Sequence, residues 1–167
     1  MLLVKGDESV PKLFAGLTYE QVLNNYSQTV LSVCVLRLQN MTDAEDVFQN
    51  VFSKLWFKSP DFKNAEHLKA WLLRVSLNEC KNYIKQNRRT FSLECLAETE
   101  IRFNESKSDL SWALMKTPVK YREVLYLYYA LDYHVDEIGK ILSLNPNTVK
   151  TRLKRGREKL KEIYGGE

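Results

Sequence analysis

Residues 135–160 read VDEIGKILSLNPNTVKTRLKRGREKL, and this stretch decides how the rest of the chain is interpreted. Ile138 and Leu142 fall on one side of a short helix because they are one helical turn apart. Asn145 is suited to cap a second helix, and Pro146 to occupy its first position, where no backbone hydrogen bond is lost. The stretch therefore predicts two helices joined by a tight turn, which is the helix-turn-helix arrangement.

The second predicted helix has an apolar side and a strongly basic side. Val149, Leu153 and Gly156 recur at i, i+4 and i+7 and form the side that packs. Residues 145–161 contain seven Lys or Arg side chains and one acidic side chain, which exceeds the net charge of +4 of the whole chain. In helix-turn-helix proteins the second helix presents its N-terminal part to base edges in the major groove. Residue types that suit bases and phosphates lie away from the packing side: Asn147, Lys150, Thr151, Lys154, Arg155 and Arg157.

A basic run alone is more often the solvated side of an amphipathic helix than a DNA-binding element. Here a capped turn and a preceding apolar helix accompany the basic run. This combination favours the helix-turn-helix interpretation.

The composition is typical of a soluble protein with one domain or two small ones. The chain has 167 residues, of which 44% are hydrophobic. Its apolar runs are interrupted by charges well before the roughly 20 residues that cross a bilayer. The N-terminal MLLVKGDESV lacks the apolar core and cleavage site of a secretion signal. We therefore expect a cytoplasmic protein without direct membrane insertion.

The cysteines and histidines predict neither a disulfide framework nor a metal site. Cys34, Cys80 and Cys95 are odd in number and form no CxxC pair, which favours a reducing compartment. The two histidines, His67 and His134, would need further ligands from distant segments to hold a metal. We expect no metal and no cofactor.

The N-terminal half contains three predicted helices. The first begins after Thr18 and ends near Gln39. The second, TDAEDVFQNVFSKLWF, covers residues 42–57 and starts with a capping box that pairs Thr42 with Glu45. Helical patterns thus extend over both halves of the chain.

The second of these helices has an apolar stripe that runs from Val47 to Trp56. Its opposite side carries acidic, amide and hydroxyl groups: Glu45, Asp46, Gln49, Asn50 and Ser53. Such a side fits an ordinary surface helix whose acids stabilise its N-terminus. In a chain that is otherwise basic, it also suits a protein partner that carries positive charge.

The third predicted helix covers residues 65–87 and has two apolar sides, which indicates a helix wedged between neighbours. Its remaining side is basic and rich in amides: Arg74, Asn78, Lys81, Asn82 and Lys85. Exposed rings beside cations suit unpaired bases, because bases stack on rings and cations hold the backbone. Phe62, His67 and Trp71 are the candidate rings. Core packing is the commoner role for Trp71, whereas the loop residues are expected to be free.

At residues 90–108 the sequence becomes acidic and poor in hydrophobic residues, which predicts a linker. The linker separates a domain at residues 1–89 from a second domain at residues 109–167. The second domain has a short helix, a break at Pro118, a helix over residues 119–131 and then the helix-turn-helix. The predicted fold is therefore all-α, with two small helical domains, the C-terminal one a four-helix helix-turn-helix module.

Three stretches in this order resemble the extracytoplasmic-function (ECF) subfamily of sigma-70 RNA polymerase sigma factors. DAEDVFQNVFSKLW at residues 43–56 is similar to the family's helix that binds the coiled coil of the polymerase beta-prime subunit. HLKAWLLRVSLNECKNYIK at residues 67–85 resembles the segment that opens and reads the minus-10 promoter element. YREVLYLYYALDYHVDEIGKILSLNPNTVKTRLKRGREKLK at residues 121–161 resembles the domain that reads the minus-35 element. The resemblance covers roughly residues 19–161.

This resemblance implies a protein that binds core RNA polymerase and directs it to promoters. The implied polymerase contacts are Asp43, Asp46, Gln49, Asn50 and Ser53. The implied minus-10 contacts are Phe62, Lys63, Asn64, His67, Arg74, Asn78, Lys81, Asn82 and Lys85. The implied minus-35 contacts to base edges are Asn147, Lys150, Thr151 and Lys154, with Thr148 beside them. The implied minus-35 contacts to phosphates are Arg152, Arg155, Arg157 and Lys159.

The resemblance also implies an anti-sigma factor as a partner. Tyr126, Tyr129 and Tyr133 are expected on the outer side of helix 119–131, where they would accept it. An enzyme is not expected, because no nucleophile elbow, phosphate-binding loop or metal-ligand spacing is present. The alternatives are a dimeric helix-turn-helix repressor or activator, and a protein-interaction module whose basic helix is incidental.

Overall fold

The computed structural model describes residues 10–87 and 108–166, with side chains from residue 110 onward in the second range. Within these ranges the chain forms seven α-helices, and its only extended pairing is an isolated bridge between Phe14 and Leu17. The helices are α1 (Tyr19–Leu38), α2 (Met41–Lys58), α3 (Ala65–Gln86), α4 (Ser108–Lys116), α5 (Val119–Tyr129), α6 (Val135–Leu142) and α7 (Pro146–Gly165). The all-α prediction is confirmed. Residues 90–107 of the predicted linker, and Cys95 with them, lie outside the described residues.

Helices α1 to α3 pack around one apolar core. Thr18 caps α1, accepting from the Gln21 backbone amide at 3.2 Å, while the Gln21 side chain accepts from the Thr18 amide at 2.9 Å. Phe14, from the segment before α1, is fully buried in this core. The helices contribute further members of this core, among them Val22, Val47, Phe52, Leu55, Leu68 and Leu72.

The start of α2 differs from the prediction. Asn40, not Thr42, is the cap: its backbone is extended and its side-chain oxygen accepts from the Asp43 amide at 2.9 Å. Asparagine is at least as good a cap as threonine, so a helix that begins at Met41 loses nothing at its end. Trp56 also departs from the predicted apolar stripe, because 43% of its side chain is exposed.

The predicted helix-turn-helix is confirmed as α6, a short turn and α7. Ser143 ends α6 in the left-handed conformation, with φ of 55°. The Leu144 amide then donates to the Gly139 carbonyl at 2.8 Å. A Cβ at Gly139 would lie 2.7 Å from the Leu144 carbonyl oxygen, so glycine is what lets the turn fold back on α6. Asn145 caps α7 by accepting from the Asn147 amide at 2.8 Å, and Pro146 is the first helical residue, as predicted.

Helices α1–α3 and helices α4–α7 are joined by a second, mixed apolar core. Helix α3 contributes residues to both cores, as its two apolar sides predicted. Leu72 faces α1 and α2, while Leu73 and Leu77 pack with residues of α5, α6 and α7. Val33 and Leu36 of α1 belong to the same mixed core. The N-terminal and C-terminal helices are thus packed against each other.

This packing overturns the prediction for two of the three tyrosines. Tyr126 and Tyr133 were expected on the outer side of helix 119–131, but they are only 7% and 6% exposed. Both belong to the mixed core, where α1 and α3 cover the side that the sequence pattern leaves open. Tyr129 is 46% exposed, as expected.

Candidate DNA-binding and protein-binding surfaces

The α7 basic face comprises the nine residues predicted to contact the minus-35 element. Seven of the nine are exposed, and Thr148 and Arg152 are half-buried. The opposite side of the helix packs through Val149, Leu153 and Gly156, as predicted. The exposed members are Asn147, Lys150, Thr151, Lys154, Arg155, Arg157 and Lys159.

Two cations at the C-terminal end of this face are engaged with neighbours. Arg157 donates from Nε to the Tyr129 hydroxyl at 2.7 Å, and its guanidinium lies 5.8 Å from the ring centres of both Tyr128 and Tyr129. Lys159 pairs with Glu162 at 2.7 Å on the helix surface. An exposed ion pair of this kind contributes little to stability, so it does not prevent the Lys159 side chain from moving to a phosphate.

The α3 basic face comprises Arg74, Asn78, Lys81, Asn82 and Lys85, and all five side chains are exposed. Glu79 lies at one edge of this face, where it pairs with Lys54 of α2 and accepts a long hydrogen bond of 3.4 Å from Asn82. The carboxylate is therefore turned toward a cation of α2. The face itself keeps its three positive charges.

The loop before α3 is more ordered than the sequence suggested. The Phe62 ring is half-buried, with its centre 5.5 Å from the rings of both His67 and Trp71. Trp71 is buried in the core, in line with its commoner role. The Asn64 side chain caps α3 by accepting from the His67 amide at 2.8 Å. Of the four residues predicted to contact DNA here, Lys63 and Asn64 are exposed, whereas Phe62 and His67 are half-buried.

The α2 polar face comprises Asp46, Gln49, Asn50 and Ser53, which are all exposed. Asp43, the fifth predicted polymerase contact, is half-buried and accepts from the Tyr83 hydroxyl at 2.7 Å. This hydrogen bond, together with burial and the nearby carboxylates, raises the pKa of Tyr83 to about 12. Asp43 therefore ties α2 to α3, and the exposed negative charge on this side of α2 comes from Asp46 and the neighbouring Glu45.

The sequence reasoning missed a cluster of buried charges between the two groups of helices. Arg122 is only 3% exposed, and burial lowers its pKa to about 10. Glu123, also buried, pairs with Arg37 of α1. Burial raises the pKa of Glu123, and the charge of Arg37 opposes that shift. The available signal was the sequence of α5, VKYREVLYLYY, which has no continuous polar side.

The hydrogen bonds of Arg122 connect the ends of two helices. Its Nε and Nη2 atoms donate to the Leu114 carbonyl at 2.8 Å and to the Met115 carbonyl at 3.0 Å, near the end of α4. Nη2 also donates to the Thr117 carbonyl at 2.8 Å, and Nη1 donates to the Leu36 carbonyl near the end of α1. Carbonyls at the ends of helices lack partners within the helix, so Arg122 satisfies them in both halves of the molecule.

The three candidate surfaces lie on three different helices and do not converge on one pocket. Among the residues that the structure describes, no group of three His, Cys, Asp or Glu side chains is arranged to hold a metal ion. None of the described helices is long and apolar enough to span a membrane. The arrangement is suited to binding large, charged partners.

Two family models match the two halves of the chain. The model described as Sigma-70 region 2 matches residues 22–90, and the one described as Sigma-70, region 4 matches residues 113–160. The first match contains α2 and α3, and the second contains the helix-turn-helix. The chain belongs to the sigma-70 family. It is an ECF sigma factor, which binds core RNA polymerase and directs it to promoters.

Relatives of similar length match along most of this sigma factor. The ECF RNA polymerase sigma factor SigW of Bacillus subtilis (strain 168) is 26% identical over 163 residues, covering 86% of this chain and 87% of that protein. The RNA polymerase sigma factor SigV of the same organism is 24% identical over 140 residues, covering 80% and 82%. The sequence relationship therefore extends through both regions.

A solved structure shares the fold. The sigma factor RpoE, in complex with the anti-sigma factor NepR from Bartonella quintana, matches with a TM-score of 0.71 at 23% identity. The match covers 88% of this chain and 96% of that chain. The arrangement of helices is thus that of a known sigma factor.

Proposed function

We propose that this ECF sigma factor divides promoter recognition among its three exposed surfaces. The α2 polar face binds the coiled coil of the beta-prime subunit of core polymerase, with Asp43 at its edge. The α3 basic face, with Phe62, Lys63, Asn64 and His67, holds the minus-10 element. The α7 basic face reads the minus-35 element. The observation that carries the proposal is that an acidic face and two basic faces are exposed on separate helices of one chain.

The α3 basic face and the loop before it suit a strand that has left the duplex. Three cations lie along one side of α3, and the half-buried Phe62 and His67 rings precede them in the sequence. Stacking on a ring tolerates any base, whereas the Asn78 and Asn82 amides can select among base edges. We propose that a base displaced from the non-template strand is received by this loop.

The predicted domain limits, residues 1–89 and 109–167, remain part of the proposal. They agree with the two family matches to within a few residues at the end of the first and the start of the second. The packing between the two domains leaves the α2 polar face, the α3 basic face and seven of the nine residues of the α7 basic face exposed.

We propose further that an anti-sigma factor regulates this protein, as the complex of RpoE with NepR illustrates for a similar fold. Of the three tyrosines considered for that contact, only Tyr129 is exposed. The protein is proposed to act in the cytoplasm, where core polymerase and promoter DNA are found. It is proposed to need no cofactor and to catalyse no reaction of its own.

The function is tested with purified core polymerase and a library of random promoters. We expect the protein to copurify with core polymerase and to yield run-off transcripts from templates that share two sequence elements. Binding to duplex DNA without any polymerase-dependent transcript would indicate a repressor or activator. Binding to polymerase without promoter selection would indicate an adaptor.

Replacement of Lys150 by alanine is expected to weaken binding to the preferred upstream duplex by about 1 to 3 kcal/mol, with a much smaller effect on scrambled duplex. Lys150 is exposed in the N-terminal part of α7, which is the part that reaches base edges. Fluorescence anisotropy with the two duplexes measures the difference. Lys161→Ala removes the same charge from the C-terminal end of α7 and serves as the control. An equal loss on both duplexes would reassign Lys150 to a phosphate.

A further inference from the structure

A cleft of about 330 Å³ opens between the start of α5 and the first half of α7. Lys120 and Tyr121 line it from α5, and Thr151, Arg152 and Arg155 line it from α7. Lys120 and Tyr121 belong to neither proposed DNA-binding surface, and no sequence signal singled them out. The cleft directly adjoins the helix that is proposed to read the minus-35 element.

Gly156 explains why the two helices approach closely enough to form this cleft. A Cβ at position 156 would lie 3.3 Å from the Tyr121 Cβ and 2.9 Å from the Leu125 Cδ1. The absence of a side chain at Gly156 therefore allows α7 to pack closely against α5. As a result, Arg155 lies next to Tyr121.

The cleft is electropositive. Lys120, Arg152 and Arg155 bring three cations, and no acidic side chain is among its lining residues. Lys120 Nζ lies 5.0 Å from the centre of the Tyr121 ring. Burial alone raises the pKa of the Tyr121 phenol, but hydrogen bonds with Arg155 and Lys120 outweigh that effect and lower the pKa. The positive groups therefore converge on the phenol, whose side chain is only 9% exposed.

Cations and hydroxyl groups that converge on one point can bind a phosphate. A guanidinium and an ammonium supply charge-assisted hydrogen bonds to its oxygens, and hydroxyls of tyrosine and threonine add neutral ones. Arg152 also interacts electrostatically with the buried Glu123, so Lys120 and Arg155 are the cations of the cleft that we assign to the ligand. Asn147 and Thr151 also line the cleft, and both are proposed to face base edges. The phosphate that reaches the cleft is therefore one that flanks the groove occupied by α7.

We propose that Lys120 and Tyr121, together with Arg155, hold a backbone phosphate of the upstream promoter duplex. Such a contact from a second helix fixes the depth and tilt of α7 in the groove, because phosphate contacts set the orientation of a recognition helix. The proposal rests on the proposed reading of the minus-35 element by α7. It adds a contact that is independent of base sequence.

The test compares Lys120→Gln and Tyr121→Phe with the wild-type full-length chain. Binding to the preferred and to a scrambled upstream duplex is measured by anisotropy over a range of salt concentrations. We expect Lys120→Gln to weaken both duplexes by a similar factor, on the order of threefold to tenfold, and to lower the salt slope by about one. Tyr121→Phe keeps the ring and the charge, so it should weaken both duplexes without changing the slope.

Lys116→Gln is the matched control, because Lys116 is also an exposed lysine but lies on α4 and is not among the residues that line the cleft. Wild-type affinity and slope in both Lys120→Gln and Tyr121→Phe would overturn the proposal.

A second experiment distinguishes a DNA phosphate from a free anion as the ligand of the cleft, by adding inorganic phosphate without DNA. If millimolar phosphate raised the thermal stability of the wild type but not of the two variants, the cleft would be assigned to a free anion instead. Failure of the wild type to bind any duplex, both alone and in complex with core polymerase, would remove the proposed function and this inference with it.

Discussion

Replacement of Asp46 by arginine is expected to abolish promoter-dependent transcription while leaving the fold and the binding of isolated upstream DNA unchanged. Asp46 is an exposed carboxylate of the α2 polar face, whereas Asp43 is held by Tyr83. If this face meets a positive surface on polymerase, the reversed charge brings like charges together, which costs several kcal/mol. Run-off transcription and copurification with core polymerase measure the effect.

Two variants separate a specific contact from a general effect of charge. Asp46→Asn removes the charge without reversing it and should lose less activity than Asp46→Arg. Glu20→Arg makes the same reversal at an exposed position in the first turn of α1 and should transcribe nearly as the wild type does. Retained transcription by Asp46→Arg would show that the α2 polar face does not bind polymerase.

Replacement of Arg122 by alanine is expected to lower the free energy of unfolding by about 3 to 5 kcal/mol. The change removes hydrogen bonds to carbonyls of both α1 and α4, although the Leu114 carbonyl still accepts from the Thr117 amide and the Met115 carbonyl from the Gln39 side chain. It also leaves a cavity where the side chain was almost fully buried. Chemical denaturation followed by circular dichroism measures the loss.

The hydrogen bond from Arg122 to the Leu36 carbonyl leads to a second prediction for this variant. Because this hydrogen bond joins the N-terminal and C-terminal helices, its loss should also increase the radius of gyration in X-ray scattering. Lys120→Ala, at an exposed position of the same helix, is the control and should change neither quantity. A denaturation midpoint equal to that of the wild type would contradict the role assigned to Arg122.

Local signals in the sequence were enough to place the helix-turn-helix. Asn145 and Pro146 identify the start of α7 because a capping side chain and a proline act within a few residues. At the start of α2 the same rules allow two solutions, since Asn40 and Thr42 are both good caps. The sequence pattern predicted Thr42 as the cap, whereas Asn40 caps the helix in the folded chain. The Asp43 carboxylate then accepts a hydrogen bond from the Tyr83 hydroxyl.

The sequence pattern was least informative where the two domains meet. Periodicity shows which side of a helix is apolar, but it does not show that a second domain covers the remaining sides. Tyr126 and Tyr133 were therefore placed outside, and Arg122 and Glu123 were not recognised as buried. The α3 basic face and seven of the nine residues of the α7 basic face are exposed as predicted, because the described parts of the chain pack mainly against the other sides of these two helices.

The core shared by α3 and the C-terminal helices has a thermodynamic consequence. Leu73 and Leu77 become exposed to water whenever the two domains separate, so separation is opposed by the free energy of burying them. Consider a ligand that binds only the separated form. Its apparent dissociation constant equals its intrinsic dissociation constant for that form divided by the fraction of molecules already in that form. Substitutions deep inside this core, far from any partner, will therefore tune the affinity for that ligand in either direction.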